Sequence, residues 1–251
     1  MRPAWIVAAE SAAPAVRVGV TRGVHTEILD EVKRVAAARG LTVDVVAFDD
    51  ASRIDAALAG GSIDAASFED AQRLSATRAA KGYALTAVAP TVTLPMALYS
   101  RKLKNLNELQ PGATVALPAD PRGMARSLVL LQNDTLVTLR EKAGLHATLR
   151  DVTGNRLGLK FVALRRDRLY AALGTSAFVA IDSDEAARAG LQPARDSISL
   201  EDARSPYANV LTVRDADRTK RWVAQLVAAY HSDDVAHFIL ARYQDSVRRP
   251  W

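Results

Sequence analysis

Residues 15–48 read AVRVGVTRGVHTEILDEVKRVAAARGLTVDVVAF, and this stretch decides the fold. Residues 15–20 predict a buried strand, and residues 21–27 form a turn that opens a helix ending at Gly40. Residues 41–48 predict a second strand. A strand, a helix and a strand in this order form a βαβ unit, which predicts a parallel sheet. Such sheets bind ligands beyond the carboxyl ends of their strands.

The alternation of strands and helices starts again after residue 104, which predicts a second α/β lobe. Residues 84–89 and 94–100 predict two strands before that point, and Asp120 followed by a proline predicts the start of a helix after it. Residues 205–214 predict a strand that returns to the first lobe. A two-crossover hinge would then join two α/β lobes around a ligand cleft. The expected divisions are a disordered or residual leader at 1–15, lobe I at 16–98 and 206–251, and lobe II at 99–205.

The composition excludes several classes of protein. The chain has 251 residues, of which 49% are hydrophobic, so it can form sizeable cores. No apolar run approaches the roughly 18 residues that a membrane-spanning helix needs. The net charge is +5, but the densest basic run, residues 165–168, has no interleaved aromatic residues. This run predicts a solvated face, and no nucleic-acid partner is expected.

The residues that usually carry catalysis or bind metals form no recognisable pattern. The chain has no cysteine, which excludes disulfides, thiolate catalysis and Cys-ligated metals. It has no G-x-S-x-G, H-E-x-x-H or Walker motif. Three of the four histidines, His146, His231 and His237, lack the spacing of zinc ligands. We therefore expect neither an enzyme nor a bound metal or cofactor.

Several motifs occur in one order along nearly the whole chain. They are VGVTRGVH at 18–25, GSIDA at 61–65, PM at 95–96, LNEL at 106–109 and SPYAN at 205–209. Together they resemble the methionine-binding lipoproteins of the NlpA type, which capture substrates for ABC importers. The resemblance implies a type II periplasmic-binding-protein fold, an extracytoplasmic (periplasmic or cell-envelope) location and usually a lipid anchor on an N-terminal cysteine. That cysteine is missing here.

The resemblance implies three residues for the charged head of an amino acid. Arg126 matches the last position of the family motif Asp-Pro-Thr-Asn-x-Gly-Arg and would bind the α-carboxylate through two parallel hydrogen bonds. Asn209 matches an asparagine that reaches the polar head, and Asp182 stands where the family usually has an asparagine facing the amine. The alternatives are a surface arginine, an asparagine that satisfies hinge backbone groups, and an N-cap, for which Asp184 has the better spacing.

The expected side-chain pocket departs from the family. Relatives surround the thioether with Phe-x-His-x-x-Tyr, whereas this chain has Phe68, Asp70 and Arg73 at those positions, and Ala51 at a further aromatic position. An unpaired charge against a thioether costs on the order of several kcal/mol, which disfavours methionine as the ligand. Alternatively, Asp70 and Arg73 pair with each other. The pocket is then wider and suits a short peptide or modified amino acid.

His25 lies in the first strand-to-helix loop, where relatives also have a histidine, and serves either the ligand or the helix start. Taken together, the sequence predicts a monomeric extracytoplasmic substrate-binding protein that delivers an amino acid or related small ligand to an ABC importer permease. The alternative functions are a binding lobe for a short peptide or modified amino acid, and a sensory binding protein without a transport role.

Overall fold

The structure, a computed structural model, describes residues 14–251, so the expected leader lies outside the described residues except for its last two. The strands are β1 (Val16–Thr21), β2 (Val43–Phe48), β3 (Ala65–Asp70), β4 (Leu85–Pro90), β5 (Ala97–Tyr99), β6 (Thr114–Pro118), β7 (Val137–Leu139), β8 (Val152–Asn155), β9 (Lys160–Leu164), β10 (Phe178–Ile181), β11 (Ser197–Leu200) and β12 (Asn209–Arg214). The helices are α1 (Val24–Ala38), α2 (Ile54–Ala59), α3 (Ala71–Lys81), α4 (Pro121–Asn133), α5 (Arg166–Ala172), α6 (Ser183–Arg188), α7 (Pro193–Asp196), α8 (Arg221–Tyr230) and α9 (Asp233–Tyr243).

These elements form two compact units. Unit 1 contains the described residues up to 91 together with 209–238, and unit 2 contains residues 92–208 and 239–251. This division differs from the expected lobes, because residues 92–98, 206–208 and 239–251 fall in unit 2. The physical reason is strand pairing: β5 pairs with β10 and β11 of unit 2, and the backbone of Arg248 pairs with that of Thr93.

The sheet of unit 1 has the strand order β2-β1-β3-β12-β4. The strands β2, β1 and β3 are parallel, as the βαβ pattern predicts, whereas β12 runs antiparallel to both β3 and β4. Helix α1 buries Ile28, Leu29 and Val32 completely. Gly19 is required in β1, because a Cβ there would lie 2.4 Å from Ile63 Cδ1.

The main sheet of unit 2 has the strand order β11-β5-β10-β6-β9, in which β10, β6 and β9 are parallel. One face packs against α4 through a core that includes Leu117, Leu128 and Phe178. The other face packs against a second cluster that includes Leu169 and Val179. Both faces are therefore covered, which explains why β10 is an unbroken apolar run. A small antiparallel sheet of β7 and β8 completes the unit.

Among residues 14–251, none of the helices combines the length and the apolar character that crossing a bilayer requires.

Candidate functional site

Unit 2 places three helix starts at one edge of its sheet. Strands β6, β9 and β10 are adjacent and parallel, and each leads within a few residues into α4, α5 or α6. Carboxyl ends of parallel strands are the usual ligand-binding edge of such sheets. Asp120 caps α4 by accepting a hydrogen bond from Gly123 N at 2.8 Å, which confirms the predicted helix start.

Arg126 lies on α4 and is largely buried, with 11% of its side chain exposed. Its Nε donates to both carboxylate oxygens of Glu201 at 3.0 Å. Its Nη2 donates to Glu201 Oε2 and, at 2.8 Å, to the carbonyl of Leu94. The guanidinium carbon also lies 4.9 Å from the ring centroid of Tyr207. The two nitrogens Nε and Nη2 of Arg126, which could bind a ligand carboxylate through parallel hydrogen bonds, are therefore occupied by the carboxylate of Glu201.

Glu201, to which no role in the site was assigned from the sequence, is the main partner of Arg126. Its side chain is 5% exposed. Besides Arg126, its Oε2 accepts a hydrogen bond from Met96 N at 3.0 Å and its Oε1 accepts one from Ser205 Oγ at 2.7 Å. Because these groups hold the carboxylate on several sides, Glu201 fixes the orientation of the guanidinium.

One nitrogen of Arg126 remains available. Within the part of the chain that the structure describes, Nη1 has no hydrogen-bond partner, whereas Nε and Nη2 are fully used. A guanidinium carries five N–H donors in a fixed plane. Arg126 can therefore offer two N–H groups to an external anion without giving up its contact with Glu201.

Asp182 is the N-cap of α6, where its Oδ1 accepts a hydrogen bond from Glu185 N at 3.1 Å. The expectation that Asp184 has the better spacing for this cap is wrong. The helix begins at Ser183, so Asp184 already lies inside its first turn, and Asp182 has the extended backbone of a cap. Its other carboxylate oxygen is paired with Arg166 Nη1.

Arg166 bridges Asp182 and Asp120. Its Nε donates to Asp120 Oδ2 at 2.9 Å and its Nη2 donates to Asp120 Oδ1 at 3.1 Å. Burial favours a higher pKa for Asp120, but the hydrogen bonds from Arg166 and from Gly123 N outweigh burial and lower that pKa. Within the run 165–168, which was expected to be a solvated face, Arg166 is therefore partly exposed and also bound to two carboxylates.

Unit 1 also gathers expected site residues at one edge of its sheet, where β1 and β3 end and β12 begins. Asn209 is paired with Asp70 in the sheet register and lies beside His25, with Nδ2 2.8 Å from His25 Nε2. The other ring nitrogen of His25 lies 2.8 Å from Thr21 Oγ1. With Asn209 Nδ2 donating, His25 Nε2 accepts, and Nδ1 carries the proton toward Thr21.

Asp70 and Arg73 do not form the alternative pair considered above. Asp70 caps α3 by accepting hydrogen bonds from Gln72 N at 3.0 Å and Arg73 N at 3.1 Å. The Arg73 side chain is 56% exposed and its Nε lies 3.9 Å from Glu69 Oε2. The cap position holds the Asp70 carboxylate at the helix start, so the Arg73 side chain turns to Glu69 instead.

Phe68 and Ala51, which were expected to line the side-chain pocket, lie in β3 and in the short turn that follows β2. Phe68 is partly buried in β3 and packs against the cluster formed by Ile54, Leu58 and Ile63. Ala51 begins a short 3-10 turn that Asp50 caps. Phe68 therefore contributes to the core of unit 1.

Unit 1 also contains two buried carboxyl groups that were not predicted from the sequence. Asp55 is 6% exposed and Glu69 is 4% exposed. Burial, and then the charge of Asp55, raise the pKa of Glu69 to about 8, and burial raises the pKa of Asp55. The pair therefore holds a proton at neutral pH. The only sequence signal was an acidic residue inside a strand, at Glu69.

Among residues 14–251, no group of three or more His, Cys, Asp or Glu side chains could hold a metal ion.

Comparisons with known proteins give a consistent result. A family model described as NlpA lipoprotein matches residues 16–251. The chain is 38% identical over 223 residues to the D-methionine-binding lipoprotein MetQ of Escherichia coli (strain K12), covering 88% of this chain and 82% of the relative. A periplasmic substrate-binding protein of an ABC transporter from Coxiella burnetii matches with a TM-score of 0.75 and 37% identity, covering 93% of this chain and 99% of that one.

A second solved structure is a nutrient binding protein from Burkholderia cenocepacia bound to methionine. It matches with a TM-score of 0.74 and 35% identity, over 93% of this chain and 99% of that chain. The predicted type II periplasmic-binding-protein fold is confirmed by these likenesses, as is the resemblance drawn from the sequence motifs.

Proposed function

The chain belongs to the NlpA lipoprotein family, and from this premise we propose that it is the extracytoplasmic substrate-binding component of an ABC importer. Its ligand is an amino acid or a related small molecule that carries a carboxylate. The protein acts as a monomer, delivers its ligand to a permease and catalyses no reaction. Relatives named for binding D-methionine or for ABC transport support this proposal.

The proposal rests on the hydrogen bonding of the Arg126 guanidinium. A buried guanidinium is held on two nitrogens by Glu201 and Leu94 O, stacks on Tyr207 and keeps Nη1 unused. Charge-assisted hydrogen bonds to a carboxylate are among the strongest that a side chain makes. The ligand carboxylate is bound by Nη1, and Glu201 positions that group.

Asp182 and Asn209 belong to the same proposal. Asp182 faces the ligand's amine, and Asn209 donates or accepts at the polar head, with His25 fixing the rotation of its amide. Asp70, Arg73, Phe68 and Ala51 shape the side-chain end of the site. Because Asp70 caps α3, the charge that would stand against a thioether is already hydrogen-bonded, so methionine stays among the ligands to test.

The test is thermal denaturation of ligand-stripped protein with L- and D-methionine, polar and basic amino acids, and short peptides. A ligand at 100 times its Kd should add about 2.7 kcal/mol, which is roughly 5–10 °C in Tm for a chain of this size. Stabilisation by none of these compounds would contradict the proposal.

A variant series then tests Arg126. We expect Arg126→Lys to weaken binding about tenfold or more, because a single ammonium lacks the planar set of donors by which the guanidinium contacts Glu201 through Nε and Nη2 and leaves Nη1 for the ligand. A hydrogen bond to a charged group is worth about 1.5 kcal/mol. Arg150→Ala, an exposed arginine of the same unit, is the matched control. Equal affinities for Arg126→Lys and the control would remove Arg126 from the site.

A further inference from the structure

We propose that Arg166 is a specificity-determining residue that competes with the ligand's ammonium for Asp182. This inference rests on the proposed function, because it concerns the same site. A site with Asp182 and no Arg166 would favour free amino acids over ligands whose amine is acylated. With Arg166 present, we expect this preference to be weaker.

The competition follows from the hydrogen bonds of Arg166. All three of its nitrogens point at carboxylates: Nε and Nη2 at Asp120, at 2.9 and 3.1 Å, and Nη1 at Asp182. A cation of the protein is therefore paired with the carboxylate that a ligand ammonium would need. Two cations cannot both hold the best position on one carboxylate oxygen, since like charges at hydrogen-bond distance repel.

Asp182 is the more enclosed of the two carboxylates, with 14% of its side chain exposed against 37% for Asp120. One of its oxygens accepts the hydrogen bond from Glu185 N and the other is paired with Arg166, so a ligand ammonium at that second oxygen would meet Arg166. Arg166 itself is 37% exposed. It can therefore move into water at modest cost, which makes the exchange with an ammonium feasible.

The other arginines of this region are engaged elsewhere. An open cavity of about 640 Å³ is lined by Asp120, Arg165, Arg166, Asp167, Glu185 and Arg188. Arg165 pairs with Asp167 at 3.2 Å and Arg188 pairs with Glu185. Three arginines line this cavity among the described residues, and of these Arg166 pairs with Asp182. Its removal changes the formal charge of Arg166, Asp120 and Asp182 taken together from −1 to −2, which favours a bound cation.

The chemical class of ligand follows. A free amino acid must displace Arg166 to bring its ammonium to Asp182, whereas an N-acylated amino acid presents no cation and leaves the ion pair in place. Both can still give their carboxylate to Arg126. Arg166 thus lowers the advantage of the free amine, and the site accepts modified amino acids.

The experiment measures Kd by isothermal titration for L-methionine, L-leucine, L-arginine and L-glutamate, each beside its N-acetyl derivative. Arg166→Ala should tighten binding of the free amino acids about tenfold, the ratio given by one charge-assisted hydrogen bond of about 1.4 kcal/mol, and should leave the N-acetyl derivatives within about twofold. Arg166→Gln, which keeps most of the side-chain length, should act in the same direction and serves if the alanine variant is unstable.

Two controls make the result specific. Arg165→Ala removes a neighbouring, 83% exposed arginine and should leave every Kd unchanged. Asp182→Asn combined with Arg166→Ala should abolish the gain. The wild type could bind, and both Arg166→Ala and Arg166→Gln could leave the ratio of the Kd values for free and acetylated ligands unchanged. That result would overturn this inference and leave the proposed function standing. Absence of binding by every variant would overturn the proposed function and this inference with it.

Discussion

The buried carboxyl pair of unit 1 gives a quantitative prediction about stability and pH. Burial raises the pKa of Glu69 from an ordinary 4.5 to about 8. Between these values the folded protein keeps a proton that the unfolded chain has lost, so stability must fall as pH rises. The slope is about 1.4 kcal/mol per pH unit. From about pH 5.5 to about pH 7.5 the loss is close to 3 kcal/mol, or roughly 5–10 °C in Tm.

The substitution Glu69→Gln replaces the protonated acid by a neutral group of the same shape and should remove this dependence. Thermal denaturation of both proteins at half-unit steps should give curves that meet near pH 5 and separate as pH rises, with the variant more stable. The exposed Glu141→Gln is the matched control and should follow the wild type. Parallel curves for wild type and Glu69→Gln would refute the reasoning, because they would mean that Glu69 is ionised across the range.

Two further predictions concern unit 2. We expect Glu201→Ala to lower the free energy of unfolding by about 3–5 kcal/mol, since it leaves the buried guanidinium of Arg126 without its carboxylate; urea denaturation measures this, and a loss below about 1 kcal/mol would contradict a buried pair. Gly123→Ala should cost about 1–3 kcal/mol, because the new Cβ would lie 2.6 Å from Pro118 Cβ and 2.8 Å from Asp120 Oδ2. Its Tm would then fall by several degrees, and an unchanged Tm would show that the start of α4 can shift.

Local signals in the sequence predicted the first βαβ unit and the start of α4 well. The strand β3 was not predicted as a strand, because its residues Ala65–Asp70 include small and acidic side chains with low strand propensity. The strand β12 begins at Asn209 and not at residue 205, because Ser205 and Ala208 close a turn with a hydrogen bond of 2.9 Å. The extent of both strands is set by pairing with their neighbours: β3 lies between β1 and β12, and β12 lies between β3 and β4.

The partners of the site residues could not be predicted from the sequence. Glu201 lies 75 positions from Arg126, and Arg166 reaches Asp120 over 46 positions. Both contacts depend on which strands are neighbours in the sheet of unit 2. No local pattern in the sequence indicates that strand order. The motif that contains Arg126, in contrast, can be read directly from consecutive residues.

The position of β12 has a consequence for how the chain folds. This strand lies between β3 and β4, yet residues 92–208 intervene and form unit 2. The sheet of unit 1 therefore cannot close until residue 214 has been synthesised, and its β3 edge stays unpaired until then. Contacts between such distant segments slow folding, because the long loop must close before they form. We therefore expect unit 1 to acquire its native sheet after most of unit 2 is already available, with β12 inserted late between two strands made much earlier.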